Sequence, residues 1–393
     1  MASDCIVADR DLHEDRLLDE IIAGKTDLHV DKRDPSKRPV IFTASSVLPT
    51  PISGYKSFRE QVGGHLSVQD SPCFMLDDDG HVLKLLEAKS HKECLEEVFY
   101  EHVFKKEPRN EEWRTLKDFL PFYYGKISLT HLGKNLEYLK MEDLTKNLEK
   151  PCIIDIKIGK KTFDPFADPQ KVERELIRYK YQAQLGFRVT GFKLFKAKTN
   201  ETELFDRFYC KGIQPQDITR TFSYFFDIQS FPERRYLVKE VINKLKQLLQ
   251  WFEKQKRIKF FRTSLLIAYD GSQKITEKKA WQKQEHFATD ANGSKSFELG
   301  EIYQIEKKAN ANFHFQNVGI HDFPPASLLG SHRKSNLEMG EECIGREKCV
   351  VKMIDFAHTF CDLEEMSDCI DENYIYGLKS LINEIEKCLG NGF

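Results

Sequence analysis

The chain has 393 residues, 40% hydrophobic and 31% charged, which is enough for a sizeable core in one large domain or two to three lobes. Its formal net charge is -2, with 60 basic residues against 62 acidic ones, so no nucleic-acid partner is expected and any polyanion site must be gathered locally. It contains no run of about 18 apolar residues to span a membrane, its acidic start MASDCIVADRDLHED lacks a signal core, and none of its ten cysteines forms a CxxC pair; the expected location is a reduced one, cytoplasmic and/or nuclear.

Residues 1 to about 50 are polar and end in a Pro/Ser/Thr-rich stretch, and 1–63 are expected to be a flexible N-terminal segment. FMLDDDGHVLKLL, residues 74 to 86, predicts a hairpin around an acidic turn closed by Gly80, with Val82, Lys84 and Leu86 on one face of its second strand. SHKECLEEVFYEHVF, 90 to 104, predicts a helix capped by Ser90, with Glu93 at capping-box spacing and a stripe of Leu95, Val98, Phe99 and His102. PFYYGKIS and NLEYLKMEDL read as two more strands, completing a small α+β lobe over 64–145.

The large lobe, 146–393, opens with PCIIDIKIG. Cys152, Ile154, Ile156 and Ile158 share one parity; Asp155 and Lys157 share the other with Ile153. An uncompensated buried charge costs about 3–5 kcal/mol, so this pair must sit at an edge, neutralise itself or hold something. A polar turn, GKKTFDPFADPQ, leads to a helix predicted over 168–185, with Asp168 as N-cap, Pro169 in the first turn and Gly186 past its end. Val172, Leu176, Tyr179 and Ala183 form its inward stripe; Lys171, Arg174, Glu175, Arg178 and Gln182 form another face. FRVTGFKLFKA and ELFDRFYCKGI read as strands, 233–257 as a long amphipathic helix, and FFRTSLLIAYDG as a strand ending in a glycine turn. From about 272 to 345 periodicity fades, and a variable, disordered insertion is expected. KCVVKMIDFAH is a last strand with Asp355 near its end, and NYIYGLKSLINEIEKCL a closing helix.

Phosphate-loop, protein-kinase, GxSxG and HExxH patterns are all missing. What remains is Lys84, Asp155, Lys157, Asp355 and His358, at or near strand ends. Phosphoryl transfer from ATP needs a lysine on the phosphates, an acid holding magnesium, and cations around the transferred group. A lysine on a small-lobe hairpin, a Glu-bearing helix after it and a late strand-end acid match that need in order.

These segments resemble one known family. PCIIDIKIG is similar to the PxxxDxKxG motif of the inositol polyphosphate kinases, and RTSLLIAYDG, MIDFAHTF and DENYIYGLKSLI resemble that family's later strands and final helix. DIKIGKKTFDPFADPQK is especially similar to the multikinase branch. The resemblance covers about 66 to 270 and 347 to 390. It implies an α+β fold, two-lobed and protein-kinase-like or ATP-grasp-like, that uses ATP and Mg2+ to phosphorylate inositol trisphosphate and tetrakisphosphate. A hexakisphosphate kinase of the same fold and an inactive scaffold are the rival readings. By position, Lys84 is implied on the ATP phosphates with Glu96 or Glu97 as helix partner, Glu142 and Leu144 at the adenine, and Asp155 at the ribose. Lys157 is implied at the reacting phosphate and inositol, Asp355 as magnesium ligand, and His358, Lys171, Arg174 and Arg178 at the substrate. Inositol phosphates, and head groups of phosphoinositides, are the implied partners of a monomer. Two positions depart from the pattern: Arg174 and Glu175 stand where an uncharged glutamine pair is expected, and only His91 or Lys92 loosely matches an expected arginine. Glu175 repels phosphate unless Arg174 or Arg178 pairs with it.

Overall fold

The computed structural model describes residues 49–63, 67–68, 71–86, 95–104, 111–272, 349–361 and 369–390. Ser90, His91, Lys92, Glu93, the chain before 49 and nearly all of the expected insertion lie outside the described residues. The fold is α+β and kinase-like, and both lobes belong to one compact unit.

The small lobe comprises β1 (Lys56–Ser57), β2 (Ser67–Val68), β3 (Ser71–Pro72), β4 (Phe74–Leu76), β5 (Val82–Leu85), α1 (Leu95–Phe104), α2 (Glu111–Leu116), β6 (Tyr123–His131) and β7 (Lys134–Met141). Its five-stranded antiparallel sheet has the order β1-β4-β5-β7-β6. The acidic turn closes the β4–β5 hairpin as the sequence predicts: Gly80 takes φ +80°, and the Asp77 carboxylate accepts the His81 N–H at 2.8 Å. Ile52, Met75, Leu83 and Tyr138 form this lobe's own core.

The expected start of order at residue 64 is corrected. Ile52 is buried, and Lys56 and Ser57 pair with Leu76 and Met75, well inside the segment expected to be flexible. A two-residue strand is too short to show an alternating pattern, so nothing in the sequence marked it.

The large lobe comprises β8 (Pro151–Ile158), α3 (Pro169–Arg178), α4 (Gln182–Leu185), β9 (Phe187–Lys196), β10 (Glu201–Phe205), α5 (Arg207–Cys210), α6 (Ile218–Phe225), α7 (Arg235–Lys254), β11 (Ile258–Phe260), β12 (Ser264–Asp270), β13 (Cys349–Ile354), β14 (Thr359–Cys361) and α8 (Glu372–Gly390). Its main sheet, β10-β9-β8-β12-β13, is antiparallel with β8 at the centre. The apolar parity of β8 enters the core along with the inner faces of α6, α7 and α8. Aromatic side chains of α1 join that same core: Phe99 stacks on Phe356 with ring centroids 4.3 Å apart.

Two more expectations are corrected. The helix predicted over 168–185 is broken into α3 and α4, because Tyr179 is extended (φ −152°, ψ 103°) and buries its ring so that its hydroxyl donates to the Ile213 carbonyl at 2.9 Å. Gly186, in the left-handed conformation, ends only the second piece. ELFDRFYCKGI is a strand only to Phe205, since Asp206 accepts from the N–H groups of Phe208 and Tyr209 and starts α5. Among the described residues, no helix is long and apolar enough to cross a membrane.

Candidate active site

Asp355 follows β13 in a left-handed backbone conformation, φ +66°. That conformation sets its carboxylate between two lysines: Oδ1 is 2.9 Å from Lys84 Nζ and Oδ2 is 3.6 Å from Lys157 Nζ. Lys84 comes from β5 and also donates to Glu96 Oε1 at 2.6 Å. The same Glu96 oxygen accepts the backbone N–H of Phe356 at 3.1 Å. Of the two glutamates expected as helix partner, Glu96 therefore makes the pair. Glu97 faces Lys126 at 2.6 Å instead.

Burial alone lowers the Lys84 pKa, but the Asp355 and Glu96 carboxylates outweigh it and hold the ammonium charged far above its ordinary value. Asp355 is half-buried; desolvation raises its carboxyl, yet Lys84 and Lys157 outweigh that and hold it well below the usual range. Lys157 moves down: burial depresses it, and the positive charges of Arg188 and Arg262 add to that against Asp355 and Asp155.

A cleft of about 290 Å³ opens between the lobes. Its walls include Val82 and Lys84 from the small sheet, the linker Met141–Thr145, and Ile153, Asp155, Leu266, Ile354 and Asp355 from the large sheet. Glu142 and Leu144 are both in that linker wall. Glu142 is fixed by a two-way exchange with Phe122, its N–H donating to the Phe122 carbonyl at 2.8 Å and its carboxylate accepting the Phe122 N–H at 3.0 Å.

Asp155 is buried against this cleft, and its Oδ1 has no hydrogen-bond partner among the described residues. Burial pushes its carboxyl up. A buried acceptor left in that state costs free energy unless a ligand donor meets it.

The fourth wall was not anticipated. Phe58 and Glu60–Gly63 form a strap that lines the cleft, held by an ion pair between Glu60 and Lys193. The strap crosses β9 where a Cβ on Gly191 would lie 1.9 Å from the Val62 carbonyl oxygen, and a Cβ on Gly63 would lie 2.7 Å from Asp155 Oδ2. The two glycines are the sequence trace of that close approach.

Beyond Asp355 and Lys157 the surroundings turn basic. Asp164 ties Lys171 (3.2 Å) to His358 (3.0 Å) through one carboxylate oxygen. Burial lowers the His358 pKa, and the charges of Lys171 and Arg262 add to that against Asp164. Glu175, 3% exposed, sits among three arginines: Arg178 at 3.3 Å, Arg188 at 3.5 Å and Arg262 at 3.5 Å, with the Thr162 hydroxyl donating at 2.9 Å. Burial pushes the Glu175 carboxyl up, and the arginines outweigh it and hold it below its ordinary value. Arg178 meets the expectation for a partner of Glu175. Arg174 is exposed and joins neither group.

Arg188 and Arg262 were not singled out from sequence. For Arg188 no signal existed in the sequence alone, since its place opposite Lys157 is set by the β8–β9 register. For Arg262 none existed either.

Residues 138–386 match the family described as inositol polyphosphate kinase. The chain belongs to the inositol polyphosphate kinase family of phosphotransferases. It is 29% identical to the inositol polyphosphate multikinase of Rattus norvegicus, over 88% of this chain and 95% of that one. It is also 29% identical to that of Homo sapiens, over 90% and 95%. Inositol hexakisphosphate kinase 2 of Oryctolagus cuniculus is 26% identical over 63% of this chain and 50% of its own length. A solved inositol phosphate multikinase from S. cerevisiae, in complex with ADP and Mn2+, is 19% identical over 70% of this chain and 90% of that one, with a TM-score of 0.45, too slight a likeness to bear on function.

Proposed function

We propose that the protein is an ATP- and Mg2+-dependent inositol polyphosphate multikinase that phosphorylates inositol trisphosphate and tetrakisphosphate hydroxyls. The observation that carries this reading is the line Lys84–Asp355–Lys157, one carboxylate between two lysines, with Lys84 and Asp355 lining the cleft between the lobes.

The residues suit the nucleotide. The partnerless Asp155 oxygen is an acceptor for a ribose hydroxyl, and Glu142 and Leu144 line the linker wall that adenine would meet. Lys84, locked by Glu96, carries a permanent positive charge for the ATP phosphates. Asp355 is ionised and is the carboxylate to hold a magnesium ion, which supplies neutralisation of phosphate charge when bound. Lys157 stands at the Asp355 side facing the arginines, and so serves the phosphoryl group and acceptor together. Lys171 and His358, tied by Asp164, with Arg178, form the acceptor side. Catalysis in such a site is positioning and charge, with little covalent chemistry for the protein to perform.

The test is a radiolabelled ATP assay over a panel of inositol phosphates, comparing wild type with Asp355→Asn. Turnover of trisphosphate and tetrakisphosphate that fails in the variant is expected. Turnover of hexakisphosphate alone makes the protein a hexakisphosphate kinase, and no turnover by wild type makes it a binding scaffold.

A further inference from the structure

Arg262 forms the corner between β11 and β12 with φ +56°, a left-handed backbone that an arginine adopts only against steric resistance. The corner is clamped on both sides. Phe261 donates its N–H to the His358 carbonyl at 3.0 Å, and the Thr263 carbonyl accepts from the Ile158 N–H at 3.2 Å. The guanidinium is thereby delivered to Glu175, 3.5 Å away, close enough for its charge to act on Lys157 and His358.

Three guanidinium groups share this one carboxylate. The Arg188 side chain is 7% exposed, so it needs Glu175 as counter-ion. The side chains of Arg178 and Arg262 are 42% and 28% exposed, and their forks have donors that a shared carboxylate does not use up. Such planar forks suit phosphate.

We infer that Arg262, with Arg178 beside it, binds a ring phosphate of the acceptor and sets acceptor preference, while buried Glu175 positions both guanidinium groups. This deepens the kinase reading above and rests on it. Glu175 then does not repel the acceptor: its charge is consumed inside the cluster, and the partly exposed Arg178 and Arg262 forks carry the surplus positive charge.

The test uses the full chain with Arg262→Gly and Arg262→Lys. Glycine takes the corner's φ freely, so Arg262→Gly removes the fork and keeps the backbone. The expected result is an acceptor KM raised about tenfold or more in Arg262→Gly and raised less in Arg262→Lys, as loss of a charge-assisted fork implies, with the ATP KM unchanged. Acceptor KM equal to wild type in Arg262→Lys and Arg262→Gly overturns the inference, as does a lower melting temperature with unchanged KM, which assigns Arg262 to neutralising Glu175 alone. Calorimetric binding of inositol tetrakisphosphate without ATP separates this site from the kinase reading. Weaker binding by Arg262→Gly upholds the site even if wild type turns nothing over, and equal binding overturns it even if wild type is a kinase.

Discussion

Lys84 Nζ lies 2.9 Å from Asp355 Oδ1, although the two residues are 271 positions apart in the chain. Each fixes the other's charge: the carboxylate holds the lysine protonated, and the lysine holds the acid ionised. Glu96 completes the arrangement from α1.

Glu96→Gln should loosen Lys84 and lower kcat/KM about 10- to 100-fold, the loss of a charge-assisted hydrogen bond of about 1.5–3 kcal/mol. Glu97→Gln is the matched control, because Lys126 is 37% exposed in that pair and such pairs contribute about 0–1 kcal/mol. Steady-state kinetics on both variants decides it; equal losses would refute the assignment of Glu96.

Asp155→Asn should raise the KM for ATP about tenfold, or roughly 1.4 kcal/mol, and leave the acceptor KM alone. The penalty should vanish with 2′,3′-dideoxy-ATP as phosphoryl donor. A penalty that persists with the dideoxy nucleotide would show that Asp155 does not meet the ribose.

Arg178→Ala should raise the acceptor KM more than the ATP KM. Initial-rate measurements with each substrate varied in turn will show the split, and the reverse order would place α3 on the nucleotide side.

Gly191→Ala should displace the strap, because the added methyl would lie 1.9 Å from the Val62 carbonyl oxygen. Overpacking of that kind costs about 1–3 kcal/mol, and here it also disturbs a wall of the cleft. A lowered melting temperature together with a raised ATP KM is expected. Unchanged ATP affinity would show that the strap does not shape the nucleotide site.

Glu175 gives a pH prediction. Its carboxyl is held below its ordinary 4.5 in the fold, so its stabilisation is complete above that value and is lost as pH falls through and below it. Wild type should melt higher than Glu175→Gln at neutral pH, since breaking a buried ion pair costs about 3–5 kcal/mol. The gap should close on acidification below pH 4.5. A gap that stays constant down to pH 3 would refute the charge pairing.

The sequence made legible whatever local pattern specifies. Alternation in PCIIDIKIG separated the core face of β8 from the face bearing Asp155 and Lys157, and the Asp-rich turn with Gly80 specified the β4–β5 hairpin. Features decided by tertiary contact were not legible. The 168–185 helix carries an unbroken pattern, and the buried Tyr179 hydroxyl bond breaks it. Glu175 reads as a departure because its neutralisers Arg188 and Arg262 come from β9 and from a corner far along the chain. The strap was missed because its order comes from a backbone crossing at Gly191 and not from any periodicity of its own.

The placement of α1 has a mechanical consequence. Phe99 stacks on Phe356 and the Phe356 N–H donates to Glu96, while Tyr100 stacks on Tyr123 and Glu97 pairs with Lys126 of the small sheet, so the helix is pinned to both lobes at once. Glu96 is thereby the post on which Lys84, from the small sheet, and the backbone after β13, from the large sheet, both lean. Any movement of one sheet against the other must therefore work against α1 from both sides.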